Sequence, residues 1–216
     1  ALATLSGQGM LGGYMVFKPL VMCLAMFFVA TRAYSTRAIT RFDALLLLAL
    51  VFSLGGDVFL MLPGNYFIPG LASFLVAHIF YIALFRQGQP WFPSKRALLG
   101  VLAVGAVMYS IVWGGLTDPV LKIAVAAYVT VISLMAAQAI GRAGALDDAA
   151  ARRVALGACI FMVSDSLIAI NKFVTPVALS SLWILATYYA AQVLIVHNAL
   201  SRESDQTSSS RFLPNK

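Results

Sequence analysis

The sequence predicts an all-α protein, a polytopic bundle of transmembrane helices. Of its 216 residues, 61% are hydrophobic and only 11% are charged, whereas soluble proteins are nearer half apolar and a quarter charged. Apolar stretches close to the length that a helix needs to cross the hydrocarbon core recur along the chain. The alternation of polar and apolar residues that is typical of membrane β-barrels is not seen. We therefore expect a single transmembrane domain over residues 1–200 and a disordered polar tail over residues 201–216.

Seven complete spans follow one another along the chain, each bounded by a turn or by basic residues. They cover approximately residues 14–31, 42–62, 67–85, 97–113, 119–140, 154–170 and 177–200. Residues 1–13 are too short and too rich in glycine for a span, and the chain does not begin with methionine. We expect either a processed N-terminus or a further upstream helix, which would bring the number of spans to eight.

The first three spans are separated by short polar connections. Lys18 and Pro19 stand in the opening turn of the first span, where a proline is tolerated because its missing N–H would have no partner. A loop with three arginines leads to the second span, which the turn Pro63-Gly64-Asn65 ends. The third span begins at Phe67 and ends before Arg86.

Glycine, proline and charged residues bound the other four spans. The fourth ends at the pair Gly114-Gly115, and the fifth begins at Pro119. A loop over about residues 141–153, with three arginines and two aspartates, separates the fifth span from the sixth. The seventh span ends where the serine-rich tail begins at Ser201.

Lysine and arginine residues are distributed unequally between the two ends of these spans. The loops after spans one, three and five and the tail together carry 12 of the 15 basic residues. Such a bias places that side in the cytoplasm, so we expect a cytoplasmic C-terminus in the cell (inner) membrane. The same distribution explains the net charge of +7 as a topology signal, without a nucleic-acid partner.

Two aspartates lie inside predicted spans, Asp57 in the second and Asp165 in the sixth. Each lies five residues before the predicted outer end of its span, a depth of about 7–8 Å at the rise of a helix. A carboxylate in hydrocarbon costs roughly 2.5–3.5 kcal/mol, so such residues indicate a functional site. We expect both to share one pocket. The alternative is that they bind polar neighbours such as Lys18 or His78 and only lock the bundle.

Other polar residues fall where they can line the same pocket. On the third span, His78 and Tyr81 belong to a stripe of residues spaced by three or four, which places them on one helix face. Tyr188 and Gln192 are four residues apart and share a face of the seventh span. Asn171, like Lys18, lies near the expected rim of the pocket.

Two aspartates in a medium of low dielectric can divide the tasks of acid and base, because desolvation and mutual repulsion favour a proton on one of them. The sequence contains no serine nucleophile elbow, HExxH motif or P-loop, which argues against serine hydrolase, zinc protease and NTPase chemistry. We expect no cofactor and no metal. A proton-coupled transporter or channel, with the aspartates and His78 as a relay, is the alternative function.

Five motifs in order carry a resemblance to a known family. They are Lys18-Pro19, SLGGD at residues 53–57, the third-span pattern Phe67-x-x-Gly70-x-x-x-Phe74-x-x-x-His78-x-x-Tyr81, SDSLIAINKF from Ser164 and TYYAAQVLI from Thr187. Together they resemble the lysoplasmalogenase family of polytopic membrane proteins, also called YhhN-like, over most of the chain. The resemblance implies eight spans and hydrolysis of the vinyl-ether bond of lysoplasmalogens, which yields a fatty aldehyde and a glycerophospho-ethanolamine or -choline.

The resemblance also implies residue roles. It makes Asp57 and Asp165 the catalytic pair. The substrate-binding residues are then expected to be Lys18, His78, Tyr81, Asn171, Tyr188 and Gln192, with a lysophospholipid substrate and membrane lipid as the partners. Since Ser164, Ser166 and Asn171 are potential hydrogen-bond donors near Asp165, we expect Asp165 to be the ionised partner.

Overall fold

The structure is a computed structural model that describes residues 8–35 and 39–211, with side chains for residues 19–35 and 39–200. These residues form seven α-helices and one short 3₁₀ helix, and no strand occurs among them, which confirms the all-α prediction. The helices are α1 (Gln8–Ser35), α2 (Arg41–Met61), α3 (Phe67–Phe85), α4 (Lys95–Val112, followed by the 3₁₀ helix Trp113–Gly115), α5 (Pro119–Leu146), α6 (Ala149–Phe173) and α7 (Ser180–Arg211).

Six stretches in the described part of the chain are long and apolar enough to cross a membrane, and they lie in helices α2 to α7. Helix α1 contributes a shorter apolar stretch, Pro19–Ser35. The protein is therefore a multi-pass membrane protein, as predicted. The expectations about the N-terminus and the polar tail fall on residues 1–18 and 201–216, whose side chains lie outside the described residues, and they stay predictions.

The predicted span boundaries are close for α2, α3 and α4 but wrong between α5 and α6. Both of these helices are longer than predicted, so Arg142 and Arg152 lie on helices and the loop shrinks to two residues. Asp147 takes the left-handed conformation, with φ 46°, at the end of α5. The Asp148 carboxylate accepts a hydrogen bond from the Ala151 backbone N–H at 2.6 Å and caps α6. Because each aspartate ends or begins a helix, two residues suffice to connect α5 to α6.

The chain divides into two compact units, the first ending at Phe80 and the second beginning at Tyr81. The single domain expected from the sequence stays a prediction. In the first unit, Arg32 of α1 forms an ion pair with Asp43 of α2 at 3.1 Å. Further along α2, a Cβ atom at Gly56 would overlap the ring of Phe74 on α3. The glycine therefore leaves room for this ring between the two helices.

In the second unit, α5 packs against α4 and α6, and α6 packs against α7. The α6–α7 interface is close at Gly157, where a Cβ atom would lie 3.0 Å from the carbonyl oxygen of Ala191 and 2.9 Å from Cγ1 of Ile195. The two helix backbones approach each other here because Gly157 has no side chain. This interface fixes α7 against the helix that carries Asp165.

Gln138 of α5 holds the connection between α3 and α4. Its Oε1 accepts a hydrogen bond from the Phe92 backbone N–H at 2.8 Å, and its Nε2 donates to the carbonyl oxygen of Pro90 at 3.1 Å. Phe92 has φ 46°, a conformation that residues other than glycine seldom adopt. The two hydrogen bonds stabilise this unfavourable backbone turn.

Candidate active site

Helices α5 and α6 form an antiparallel hairpin that brings Tyr128 to Asp165. Tyr128 lies 18 residues before the end of α5 and Asp165 lies 16 residues after the start of α6. At the rise of a helix these distances are about 27 and 24 Å, so the two side chains lie at a similar height above the connection. The Tyr128 hydroxyl donates a hydrogen bond to Oδ2 of Asp165. Tyr128 is 6% exposed, while Asp165 is partly exposed.

Tyr128, a donor to Asp165, is not among the donors that the sequence suggested. Ser164 donates its hydroxyl hydrogen to the carbonyl oxygen of Ile184 on α7 at 3.1 Å. The side-chain oxygen of Asn171 accepts from the Val177 backbone N–H at 2.9 Å and so stabilises the connection to α7. Residues adjacent in sequence to a helical aspartate point away from it around the helix, whereas Tyr128 faces it from another helix.

Tyr128 was not among the residues predicted from the sequence, although its position in the fifth span indicates that it lies near Asp165. Counted back from the predicted loop, Tyr128 lies 12 residues inside the fifth span and Asp165 lies 11 residues inside the sixth. Because consecutive spans joined by a short loop run antiparallel, equal counts place two residues at one height. If every polar residue of the two spans is counted in this way, Tyr128 is predicted to be a neighbour of Asp165.

The depths of the two aspartates within their helices differ from the prediction. Asp57 lies four residues before the end of α2 at Met61, or about 6 Å. Helix α6 continues three residues beyond the predicted end, to Phe173, so Asp165 lies eight residues, or about 12 Å, from its end. The distances from the helix ends therefore differ by four residues, and equal depth of the two aspartates in the membrane stays a prediction.

Asp57 and His78 are buried polar residues of the first unit. Asp57 is 1% exposed and His78 is 0% exposed. The burial of Phe74, His78 and Tyr81 agrees with the single stripe predicted along α3. Ionisable side chains buried in membrane-spanning helices are costly, which is why they indicate function. Asp57 and Asp165 belong to different compact units, so their pairing stays a prediction.

A second polar contact joins Tyr81 to Gln192 of α7. The Tyr81 hydroxyl donates to Oε1 of Gln192 at 2.6 Å. Gln192 is 2% exposed, and its Nε2 has no hydrogen-bond partner among the residues that the structure describes. Tyr188, one turn earlier on α7, is buried too and packs its ring edge-on against Phe161 at 5.4 Å. The amide N–H group of Gln192 is thus a buried donor that the described residues leave without an acceptor.

The other predicted binding residues are less informative. Lys18 lies in α1, but its side chain is outside the described residues. Asn171 is partly exposed, with its side-chain oxygen bonded to the backbone as above. Within the described residues, no group of three or more His, Cys, Asp and Glu side chains is arranged to hold a metal ion.

Comparison with known proteins gives a family match over most of the chain. Residues 13–199 match the YhhN family. The chain is 37% identical over 162 residues to "Lysoplasmalogenase TMEM86A" of Bos taurus, covering 71% of this chain and 65% of that protein. It is 33% identical over 184 residues to "Lysoplasmalogenase TMEM86B" of Homo sapiens, covering 85% and 76%.

A bacterial relative is also similar. The chain is 31% identical over 153 residues to "Lysoplasmalogenase" of Mycobacterium tuberculosis, covering 68% of this chain and 57% of that protein. The chain spans just under two thirds of the length of the bovine and human TMEM86A proteins. No solved structure gives a significant match.

Proposed function

The chain belongs to the YhhN family, and from this membership we propose that it is an intramembrane hydrolase that cleaves the vinyl-ether bond of lysoplasmalogens. The products are a fatty aldehyde and a glycerophospho-ethanolamine or -choline. The observation that carries the proposal is the 33% identity, over 85% of this chain, to a human protein named lysoplasmalogenase. The substrate is a single-chain lipid, which a multi-pass membrane protein can take directly from the bilayer.

We assign the reaction to acid–base chemistry by Asp57 and Asp165. The β-carbon of a vinyl ether is electron-rich, so one aspartic acid transfers its proton to that carbon. The electron pair of the double bond forms the new C–H bond and leaves an oxocarbenium ion at the α-carbon. Water then adds to the α-carbon and gives a proton to the other aspartate, which acts as the general base. Glycosidases use two carboxyl groups around a similar cation.

The hemiacetal formed in this way collapses with the same two groups. The aspartate that supplied the first proton takes the proton of the hemiacetal hydroxyl as the aldehyde C=O bond forms. The bond from the α-carbon to the glycerol oxygen breaks, and that oxygen receives the proton held by the second aspartate. Both aspartates regain their starting states, and the net change is the addition of one water molecule across the ether. The burial of Asp57 and the polar contact of Asp165 support these roles.

We assign the remaining polar residues to substrate binding. The Gln192 amide N–H group, held in place by Tyr81, can donate to an oxygen of the glycerol backbone. Tyr188 supplies an apolar wall for the alkenyl chain, and Lys18 a cation for the phosphate. The full set that we propose is Lys18, His78, Tyr81, Asn171, Tyr188 and Gln192. We place the protein in the cell membrane with its C-terminus in the cytoplasm, on the basis of its basic loops.

The proposal is tested by incubating purified protein with an alkenyl lysophosphatidylethanolamine and, in parallel, with the ester-linked lysophosphatidylethanolamine. We expect aldehyde release from the first lipid and none from the second. Asp57→Asn and Asp165→Asn should each lower turnover by roughly 10²- to 10⁴-fold, the usual contribution of a general acid or base. Asp118→Asn is the matched control, because Asp118 is an exposed helix cap and asparagine caps helices equally well.

Two results would contradict the proposal in different ways. Absence of aldehyde from the alkenyl lipid would remove the assigned activity. Full turnover by either asparagine variant would remove the acid–base mechanism while leaving the activity in place. Proton flux through sealed vesicles that contain the protein, without aldehyde release, would favour a proton relay through Asp57 and His78 instead.

A further inference from the structure

A hydrogen bond from Tyr128 reaches the carboxylate of Asp165 from another helix. The phenolic O–H group of Tyr128 donates to Oδ2 of Asp165. Tyr128 is buried and lies on a different helix, so it reaches Asp165 across the α5–α6 interface. A hydrogen bond from a neutral donor to a carboxylate is about twice as strong as one between neutral groups, so it favours the ionised acceptor.

We propose that Tyr128 is a positioning residue that holds Asp165 as the carboxylate base, which leaves Asp57 to act as the acid. The inference rests on the function proposed above. It assigns the roles of acid and base, which the mechanism left open between the two aspartates. Asp57 transfers its proton to the β-carbon of the vinyl ether. Water adds to the α-carbon, and its proton passes to Asp165, while Tyr128 stays bonded to Oδ2 and keeps its own proton.

The contact holds the Asp165 carboxylate in one orientation. Oδ2 of Asp165 accepts a hydrogen bond from the Tyr128 hydroxyl, which comes from the neighbouring helix α5. The α5–α6 connection has only two residues, each engaged in ending or capping a helix, and it sets the register of the hairpin. Tyr128 therefore fixes the orientation of the carboxylate as well as its charge.

The test compares three altered forms of the purified protein with the unmodified protein. Tyr128→Phe removes the hydroxyl and keeps the ring, and incorporation of 3-fluorotyrosine at position 128 keeps both. Tyr109→Phe is the matched control, because the Tyr109 hydroxyl donates its hydrogen bond to the backbone carbonyl of Lys122 at 3.1 Å and not to a carboxylate. Thermal unfolding in detergent establishes that every variant is folded.

We expect Tyr128→Phe to lower kcat roughly 10- to 100-fold, as for loss of a charge-assisted hydrogen bond, and to change KM by less than about twofold. The fluorotyrosine protein and Tyr109→Phe should remain within about threefold of the unmodified protein. If the side chain of Tyr128 only packed the interface, the phenylalanine and fluorotyrosine forms would have similar kcat values.

Infrared spectra of protein with ¹³C-labelled aspartate provide a readout independent of turnover. The signal of Asp165, identified by its loss in Asp165→Asn, should be that of a carboxylate in the unmodified protein. In Tyr128→Phe a protonated carboxyl band should replace part of it.

Three results would overturn the proposal. The first is an infrared signal of protonated Asp165 in the unmodified protein. The second is an Asp165 carboxylate signal that Tyr128→Phe leaves unchanged, and the third is unaltered turnover in that variant. If the unmodified protein releases no aldehyde, the proposed function fails, and the spectra alone still decide whether Tyr128 controls Asp165.

Discussion

The contact between Tyr81 and Gln192 allows a quantitative prediction about the second unit. Replacement of Tyr81 by phenylalanine removes a hydrogen bond of 2.6 Å between two buried side chains. Since Nε2 of Gln192 already lacks a partner among the described residues, the variant leaves both ends of this amide unpaired. Hydrogen bonds between helices in membranes contribute about 0.6 kcal/mol on average and up to about 1.7 kcal/mol. We expect a loss of about 1–2 kcal/mol, since an unpaired buried group adds its desolvation cost.

A double-mutant cycle isolates this contribution. Gln192→Leu removes the amide altogether, so adding Tyr81→Phe to it should cost less than Tyr81→Phe alone, with a coupling of about 1 kcal/mol. The free energy of unfolding is measured by titration with sodium dodecyl sulfate in mixed micelles, followed by tryptophan fluorescence. Additive effects of the two substitutions would refute the contact, because residues that do not touch show no coupling.

Three other predictions concern packing, a loop and substrate binding. Gly157→Ala should destabilise the protein by about 1–3 kcal/mol in the same titration, because the new methyl group meets the backbone of α7, whereas Gly144→Ala, with no atom within 4 Å, should not. Gln138→Leu should accelerate amide hydrogen exchange at Phe92 while the helices stay protected, since it removes both hydrogen bonds to that turn. Lys18→Ala should raise KM for the alkenyl lipid more than it lowers kcat, as expected for a uniform-binding contact; the reverse pattern would place Lys18 in the chemistry.

The sequence predicted the class and most of the helices because composition and span length are strong signals in a membrane protein. It failed at the α5–α6 connection, where charged residues were interpreted as a loop. In the structure, Arg152 lies on α6 and pairs with Asp147 at 2.8 Å. Arg153 contacts the side chain of Asn198 on α7 at 3.5 Å. Helices that extend past the membrane carry charges on their ends, and hydropathy cannot separate such ends from loops.

The residue types of the candidate site were also predictable. Counting from the loop predicts that Tyr128 lies at the height of Asp165, but not that the two side chains form a hydrogen bond. Buried Asp57, His78 and Gln192 stand out because polar groups are rare in apolar helices. A single tyrosine such as Tyr128 does not stand out, because tyrosine is common in the packing of membrane helices. Which donor reaches Asp165 depends on the rotation and register of two helices, and the sequence specifies these only through contacts that appear after folding.

The two-residue hairpin connection has a consequence for the evolution of this protein. Tyr128 and Asp165 are separated by 37 positions, and nearly all of these positions belong to two helices that only two residues connect. One residue inserted into either helix would turn the following side chains by about 100° and shift them by about 1.5 Å. Descendants of this sequence can exchange many side chains in the segment, but they can hardly change its length, so insertions should accumulate elsewhere.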